Sequence, residues 1–125
     1  MTLEIHSEIL TSTQVNLALE GTLDAVTSPR LDEFISHHFD PAVLTVVIDL
    51  QKLVFISSAG LRIFAKLRKT LKSKGGTLCF INPSPQVKRV FDIVKAVPVS
   101  EVFQDIHELD NYLASMQRKV TESSP

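Results

Sequence analysis

The sequence has no tryptophan, one tyrosine (Tyr112), one cysteine (Cys79) and four glycines in 125 residues. A single cysteine excludes an internal disulfide, so packing alone has to hold the fold. A lone thiol inside the apolar run Thr77-Leu78-Cys79-Phe80-Ile81 reads as a small buried hydrophobe. No uninterrupted apolar run approaches the ~20 residues that span a bilayer. The opening Met1-Thr2-Leu3-Glu4 lacks a basic stretch followed by an apolar one, so no signal peptide is expected. A reducing cytoplasm is the expected compartment.

Catalytic signatures are missing as well. There is no Gly-rich phosphate loop, because Gly75-Gly76 stands where a helix ends. There is no Gly-x-Ser-x-Gly elbow, and no base pairs obviously with either serine of Ser57-Ser58. The pair His37-His38 lies on a helical stretch, where neighbours point about 100° apart and do not make a two-ligand metal face. His6 and His107 are scattered. The expectation is a protein with no catalytic residue, no metal and no cofactor.

What is present is an aliphatic core with seven phenylalanines, at 44% hydrophobic residues overall. A chain of this length is one domain and buries roughly two-thirds of its unfolded surface. Net charge is −1, but it is unevenly spread. Residues 1–50 hold eight acidic and one basic residue, whereas residues 51–95 hold ten basic and one acidic. Residues 96–125 return to a balance of −3. The basic set Arg62, Lys66, Lys69 and Lys72 reads as the solvated face of a helix. It lacks the interleaved aromatics of a single-strand nucleic-acid surface.

Apolar residues partly alternate over Leu3 to Leu10 and clearly at Val15, Leu17 and Leu19. Joined by the polar Thr11-Ser12-Thr13-Gln14, these predict a hairpin. Gly21-Thr22-Leu23-Asp24 breaks the alternation. Ser28 as N-cap with Pro29 at the first helical position predicts a helix with Asp32 and Glu33 in its first turn. Leu31, Phe34, Ile35 and Phe39 form its apolar stripe, and Asp40-Pro41 ends it. Leu44 to Leu50 reads as a central strand. A second helix is expected from about Ser58 to Lys74, with Leu61, Phe64, Leu67, Arg68 and Leu71 on one stripe and Gly75-Gly76 as its C-cap. Thr77 to Ile81 is a buried strand. Ser84-Pro85 starts a short helix with Val87, Val90, Phe91 and Val94 on its face. A weak strand over Val99 to Phe103 follows. A last helix carries Ile106, Leu109, Leu113 and Met116, opened by the pair Asp105 and Glu108. The order is β-β-α-β-α-β-α-β-α: an α/β single domain whose mixed, mostly parallel sheet has helices packed against it.

The informative stretch is Val54-Phe55-Ile56-Ser57-Ser58-Ala59-Gly60-Leu61-Arg62, between a strand and a helix. Phe55 and Ile56 are expected to tie the loop down, with Ser57 or Ser58 as N-cap. A helix N-terminus offers free N–H groups and a partial positive charge, so a phosphate on a serine there would not unfold the domain. Gly60 in the first turn is expected to keep the surface low and to leave backbone open to close approach. Capping alone is the plainer reading of such a serine.

Asp49-Leu50, then Phe55-Ile56-Ser57-Ser58-Ala59-Gly60-Leu61, resembles the signature of the STAS domain family, and within it the bacterial anti-sigma factor antagonists. Gly21-Thr22-Leu23-Asp24 is similar to that family's early Gly-x-hydrophobic-Asp turn. Gly75-Gly76 and Asn82 to Phe91 resemble its second half. The resemblance implies a STAS domain over residues 1–116 with a frayed tail at 117–125. It implies a non-enzymatic protein whose unmodified form binds an anti-sigma factor, a serine kinase of the histidine-kinase-like ATPase fold, and so frees a sigma factor. It implies Ser58 as the phosphoacceptor, a serine phosphatase that resets the switch, and no direct contact with nucleic acid or membrane. Asp24, Ser57, Ser58, Ala59, Gly60, Leu61 and Arg62 are the implied partner surface. Several family members have Asp just before the acceptor serine. Here Ser57 stands there and offers a second candidate hydroxyl. The alternative is a STAS scaffold, or a small-ligand or lipid-binding module of another signalling pathway.

Overall fold

A computed structural model describes residues 2–94, 102–103 and 111. The elements are β1 (Leu3–Ile9), β2 (Gln14–Leu23), α1 (Ser28–His38), β3 (Thr45–Ile56), α2 (Ser58–Ser73), β4 (Thr77–Ile81), α3 (Pro85–Val94) and β5 (Val102–Phe103). They form one sheet in the order β1-β2-β3-β4-β5. The β1–β2 hairpin is antiparallel, and every later pairing is parallel. The expected mixed, mostly parallel α/β sheet is thus present. Of the Val99–Phe103 strand, Val102 and Phe103 are described. The expected last helix with Ile106, Leu109, Leu113 and Met116, its Asp105 and Glu108 pair, and the tail at 117–125 lie outside the described residues.

Alternation decides the core. Val15, Leu17 and Leu19 on β2, Val46, Ile48 and Leu50 on β3, and Leu78 and Phe80 on β4 join one buried cluster with Leu31, Phe64, Leu67, Leu71, Val87 and Phe91 from the helices. Phe64, Phe80 and Phe91 meet with centroids 4.9 to 6.3 Å apart in tilted and edge-on contacts, which ties α2, β4 and α3 together. Cys79 is fully buried. Among the described residues, no helix is long and apolar enough to cross a membrane.

Three boundaries differ from expectation. First, β2 does not stop at Gly21. The strand runs on to Leu23, with register shifts at Ala18/Glu20 and Gly21/Thr22. Gly21 has φ +107°, a conformation side chains resist, so the strand bends where the pattern breaks instead of ending. Second, the N-cap of α1 is Thr27, with Ser28 as the first helical residue. The tight turn begun by Asp24 starts the helix early, since Ser28 N–H donates to the Asp24 carbonyl at 2.8 Å. Asp32 and Glu33 consequently lie beyond the first turn, and Asp32 pairs with Lys66 at 3.1 Å instead. Third, β3 is 12 residues long and passes well beyond Leu50.

The other helix ends follow the sequence. α2 closes as expected on Gly75 at φ +78°, with Gly76 N–H donating to Leu71 C=O (2.7 Å) and Gly75 N–H to Lys72 C=O (3.1 Å). The Ser84 hydroxyl accepts from Val87 N–H at 3.3 Å and so caps α3.

Candidate functional site

Parallel strands share one direction, so the loops after β2, β3 and β4 gather at the carboxyl end of the sheet, where open α/β sheets present their binding residues. Leu23 pairs with Ile56, and Ser57 N–H donates to the Leu23 carbonyl at 2.8 Å. That bond brings the turn at Asp24 beside the start of α2.

The two adjacent serines differ. Ser57 is the N-cap of α2, in extended conformation, and its carbonyl accepts the first helical bond from Leu61 N–H. Its hydroxyl, however, makes no capping bond. The Oγ is buried and has no hydrogen-bond partner. Ser58 is the first helical residue and is exposed. One serine turns its hydroxyl in and the other is open to solvent. No acidic residue occupies the first turn of α2, so nothing there offsets the positive end of the helix.

Asp24 organises the neighbouring turn. Its Oδ1 accepts from the backbone N–H of Val26 and Thr27, both at 2.9 Å, and from the Thr27 hydroxyl at 3.2 Å. The Thr27 backbone N–H is the main reason its carboxyl sits below the usual aspartate range, and Val26 N–H and the Thr27 hydroxyl add to it. Asp24 is therefore an ionised acceptor that holds the turn between β2 and α1.

Gly60 and Leu61 do not lie on the surface. Gly60 is buried, and a Cβ there would stand 2.7 Å from Leu23 Cδ2 and Cγ and 3.0 Å from Ile56 Cγ1. The glycine lowers the helix onto the core, which corrects the expectation that it keeps backbone open on the outside. Leu61 is 4% exposed and belongs to the core. Ala59 is half-buried and Arg62 is exposed. Phe55 does not tie the loop down either; it is 52% exposed, and Ile56 alone is buried.

Sequence reasoning missed three side chains at this end. Val26 (81% exposed), Val54 (60%) and Phe55 are large apolar groups in the open. β4 pairs with β3 only as far as Asp49, so among the described residues Leu50–Ile56 has no strand on that side. The only available signal was an apolar run too long for its partner strand. Asp49 marks the point of departure. It accepts from Gln51 N–H at 2.9 Å and from the Asn82 side chain at 3.3 Å, beside the positive φ of Asn82.

At the far edge, the hairpin register sets His6 between Glu4 and Glu20, with Nε2 3.6 and 3.5 Å from their carboxylates. Glu4 and His6 are exposed and Glu20 is half-buried, an ordinary surface arrangement. His37 and His38 are engaged locally, each ring Nδ1 within 3.0 Å of a backbone carbonyl one turn earlier.

The STAS domain model matches residues 2–109, and the chain belongs to the STAS domain family. Over 75 residues, 60% of the chain, it is 33% identical to BtrV of Bordetella bronchiseptica, described as a proposed anti-sigma factor antagonist. That stretch covers 65% of BtrV, just under two-thirds of its length. The fold matches the unphosphorylated anti-sigma factor antagonist SpoIIAA with TM-score 0.75 at 22% identity, over 90% of this chain and 97% of that one. It matches the phosphorylated form of Bacillus SpoIIAA with TM-score 0.69 at 23% identity, over 88% and 99%.

Proposed function

We propose that this protein is an anti-sigma factor antagonist acting in the cytoplasm, a binding module and kinase substrate that catalyses nothing itself. Unmodified, it binds an anti-sigma factor serine kinase of the histidine-kinase-like ATPase fold and so frees a sigma factor. The kinase transfers the γ-phosphoryl group of ATP to Ser58 Oγ. ADP leaves, the hydroxyl proton is lost, and the complex ends. A serine phosphatase hydrolyses the ester and restores the binding form.

The observation that carries this reading is the contrast between the serines. A kinase needs an accessible hydroxyl, and Ser58 supplies one where Ser57 Oγ is buried. The relatives' names support the partner class, and a neighbouring fold solved in a phosphorylated form supports the modification. The partner surface is assigned to Asp24, Ser57, Ser58, Ala59 and Arg62, with Gly60 and Leu61 shaping it from beneath. Val26, Val54 and Phe55 are assigned to it as well, as exposed apolar side chains on the two segments that flank the start of α2.

The position explains why the switch needs no refolding. A phosphoserine carries about −1.5 to −2 charges, and the start of a helix stabilises an anion by roughly 0.3–1 kcal/mol. The charge changes what a partner meets while the core below stays packed.

The test is affinity capture from the source organism's lysate with the wild-type chain and Ser58→Asp as parallel baits. Recovery of an ATPase-fold kinase by wild type alone is the expected result. Equal recovery by both baits would sink the Ser58 switch.

A further inference from the structure

Arg62 stands one helical turn after Ser58. Residues four apart on a helix face the same way, with Cβ atoms about 5–6 Å apart. Both side chains are exposed. The same stripe continues to Lys66, which is held by Asp32 on α1 at 3.1 Å. Arg62 has no such partner: among the described residues it makes no ion pair. The stripe therefore presents a hydroxyl, then an unpaired guanidinium, then a neutralised lysine.

We infer that Arg62 is the positioning residue for a phosphate on Ser58, clamping it against the N-terminus of α2. The inference rests on Ser58 as the acceptor. The chemistry suits the pair, because a guanidinium fork donates two parallel hydrogen bonds to phosphate oxygens, which an ammonium cannot match. The backbone N–H groups of the first turn face the same anion from the other side. Asp24, ionised in the adjacent turn, is a like charge toward a phosphate here, and Arg62 draws the group away from it.

Two surface changes then follow from one modification. The phosphate adds negative charge at the head of α2. It also occupies the unpaired cation of the stripe, so a partner that uses Arg62 loses that contact at the same moment. A Ser58→Asp variant copies only part of this, since one carboxylate carries less charge and fewer acceptor oxygens.

The test uses full-length protein with phosphoserine inserted at position 58 during translation, so that no kinase is needed. The phosphorus NMR signal is followed from pH 4 to 9 in wild type, Arg62→Gln, Arg62→Lys and Lys69→Gln. The charged groups of the described elements that flank the start of α2 are Asp24 in the β2–α1 turn and Arg62 on α2 itself, and all but residue 62 are held constant. A free phosphoserine titrates near ~6. Wild type is expected to titrate lower, and Arg62→Gln to shift upward by roughly half a unit to one unit. Arg62→Lys should recover part of that shift. Lys69→Gln, about 16 Å along the helix from Ser58 at 1.5 Å per residue, should leave it unchanged. Superimposable curves for wild type and Arg62→Gln would overturn the clamp, and so would an equal shift from Lys69→Gln. The acceptor assignment fails separately, if mass spectrometry of kinase-treated wild type places the phosphate away from Ser58.

Discussion

The two halves of β3 are built alike in sequence and used differently. From Thr45 to Asp49 the strand has β2 on one side and β4 on the other, and Val46, Val47 and Ile48 are at most 1% exposed. From Gln51 to Ile56 it keeps β2 but has outrun β4, and Val54 and Phe55 stand in solvent. Similar apolar residues hold the fold together in the first half and face outward beside Ser58 in the second. The difference is the number of neighbours, not the chemistry of the side chains. Where the strand continues past its partner, its outer residues Val54 and Phe55 are uncovered while its inner residues, Leu53 and Ile56, remain buried.

Substitutions should separate the halves, and the largest effect belongs to the first. Ile48→Ala removes a fully buried side chain and leaves a cavity. A loss of about 2–5 kcal/mol is expected from urea unfolding. An intermediate loss is expected where the second half meets α2. Gly60→Ala drives a methyl group into Leu23 and Ile56. Overpacking costs about 1–3 kcal/mol, and up to ~1 kcal/mol of helix propensity offsets it. A net destabilisation near ~1 kcal/mol by thermal or chemical melting is the expected outcome. A stabilised Gly60→Ala would show that α2 does not need its close approach.

Phe55→Ser should change stability by less than about 0.5 kcal/mol, while a binding assay with the captured partner loses affinity about tenfold or more. Destabilisation as large as that of Ile48→Ala would erase the contrast between the halves. Ser57→Ala sharpens it further. A capping serine costs about 1 kcal/mol when removed, but this hydroxyl is buried and makes no bond. Its loss should be neutral or slightly stabilising in the same melts.

The smallest effect is the pH response of Asp24. Its carboxyl is held below the ordinary aspartate value of 3.8 in the folded chain. The folded state thus favours the ionised form. That contribution is complete above 3.8 and is lost as pH falls through the lower folded value. Asp24→Asn should flatten that part of an acid unfolding profile and leave stability above pH 5 with little pH dependence from this site.

Much of this was legible beforehand, for local reasons. The hairpin, the α2 stripe at Leu61, Phe64, Leu67 and Leu71, the Gly75-Gly76 stop and the strand Thr77–Ile81 each depend on periodicity or on a residue suited to one backbone conformation. The family resemblance, carried by Phe55 to Leu61, pointed to the same serine that the structure leaves exposed. What misled were side chains whose role depends on distant neighbours. Phe55 looked like an anchor because it is apolar. Gly60 looked like an opening because it is small. Ser28 looked like a cap because it precedes proline, yet the turn at Asp24 moves the cap to Thr27 and makes Ser28 the first helical residue.

Over the described residues, the sequence by itself determined which segments are strands and helices, their order, and the placement of a serine pair at the head of the second helix. Those features follow from interactions within a few residues. Only the tertiary structure decided which serine faces solvent, that Gly60 seats α2 on Leu23, and that β3 emerges beyond β4 with Val54 and Phe55 uncovered. Burial belongs to a neighbourhood assembled from across the chain, and no local pattern records where a partner strand will stop.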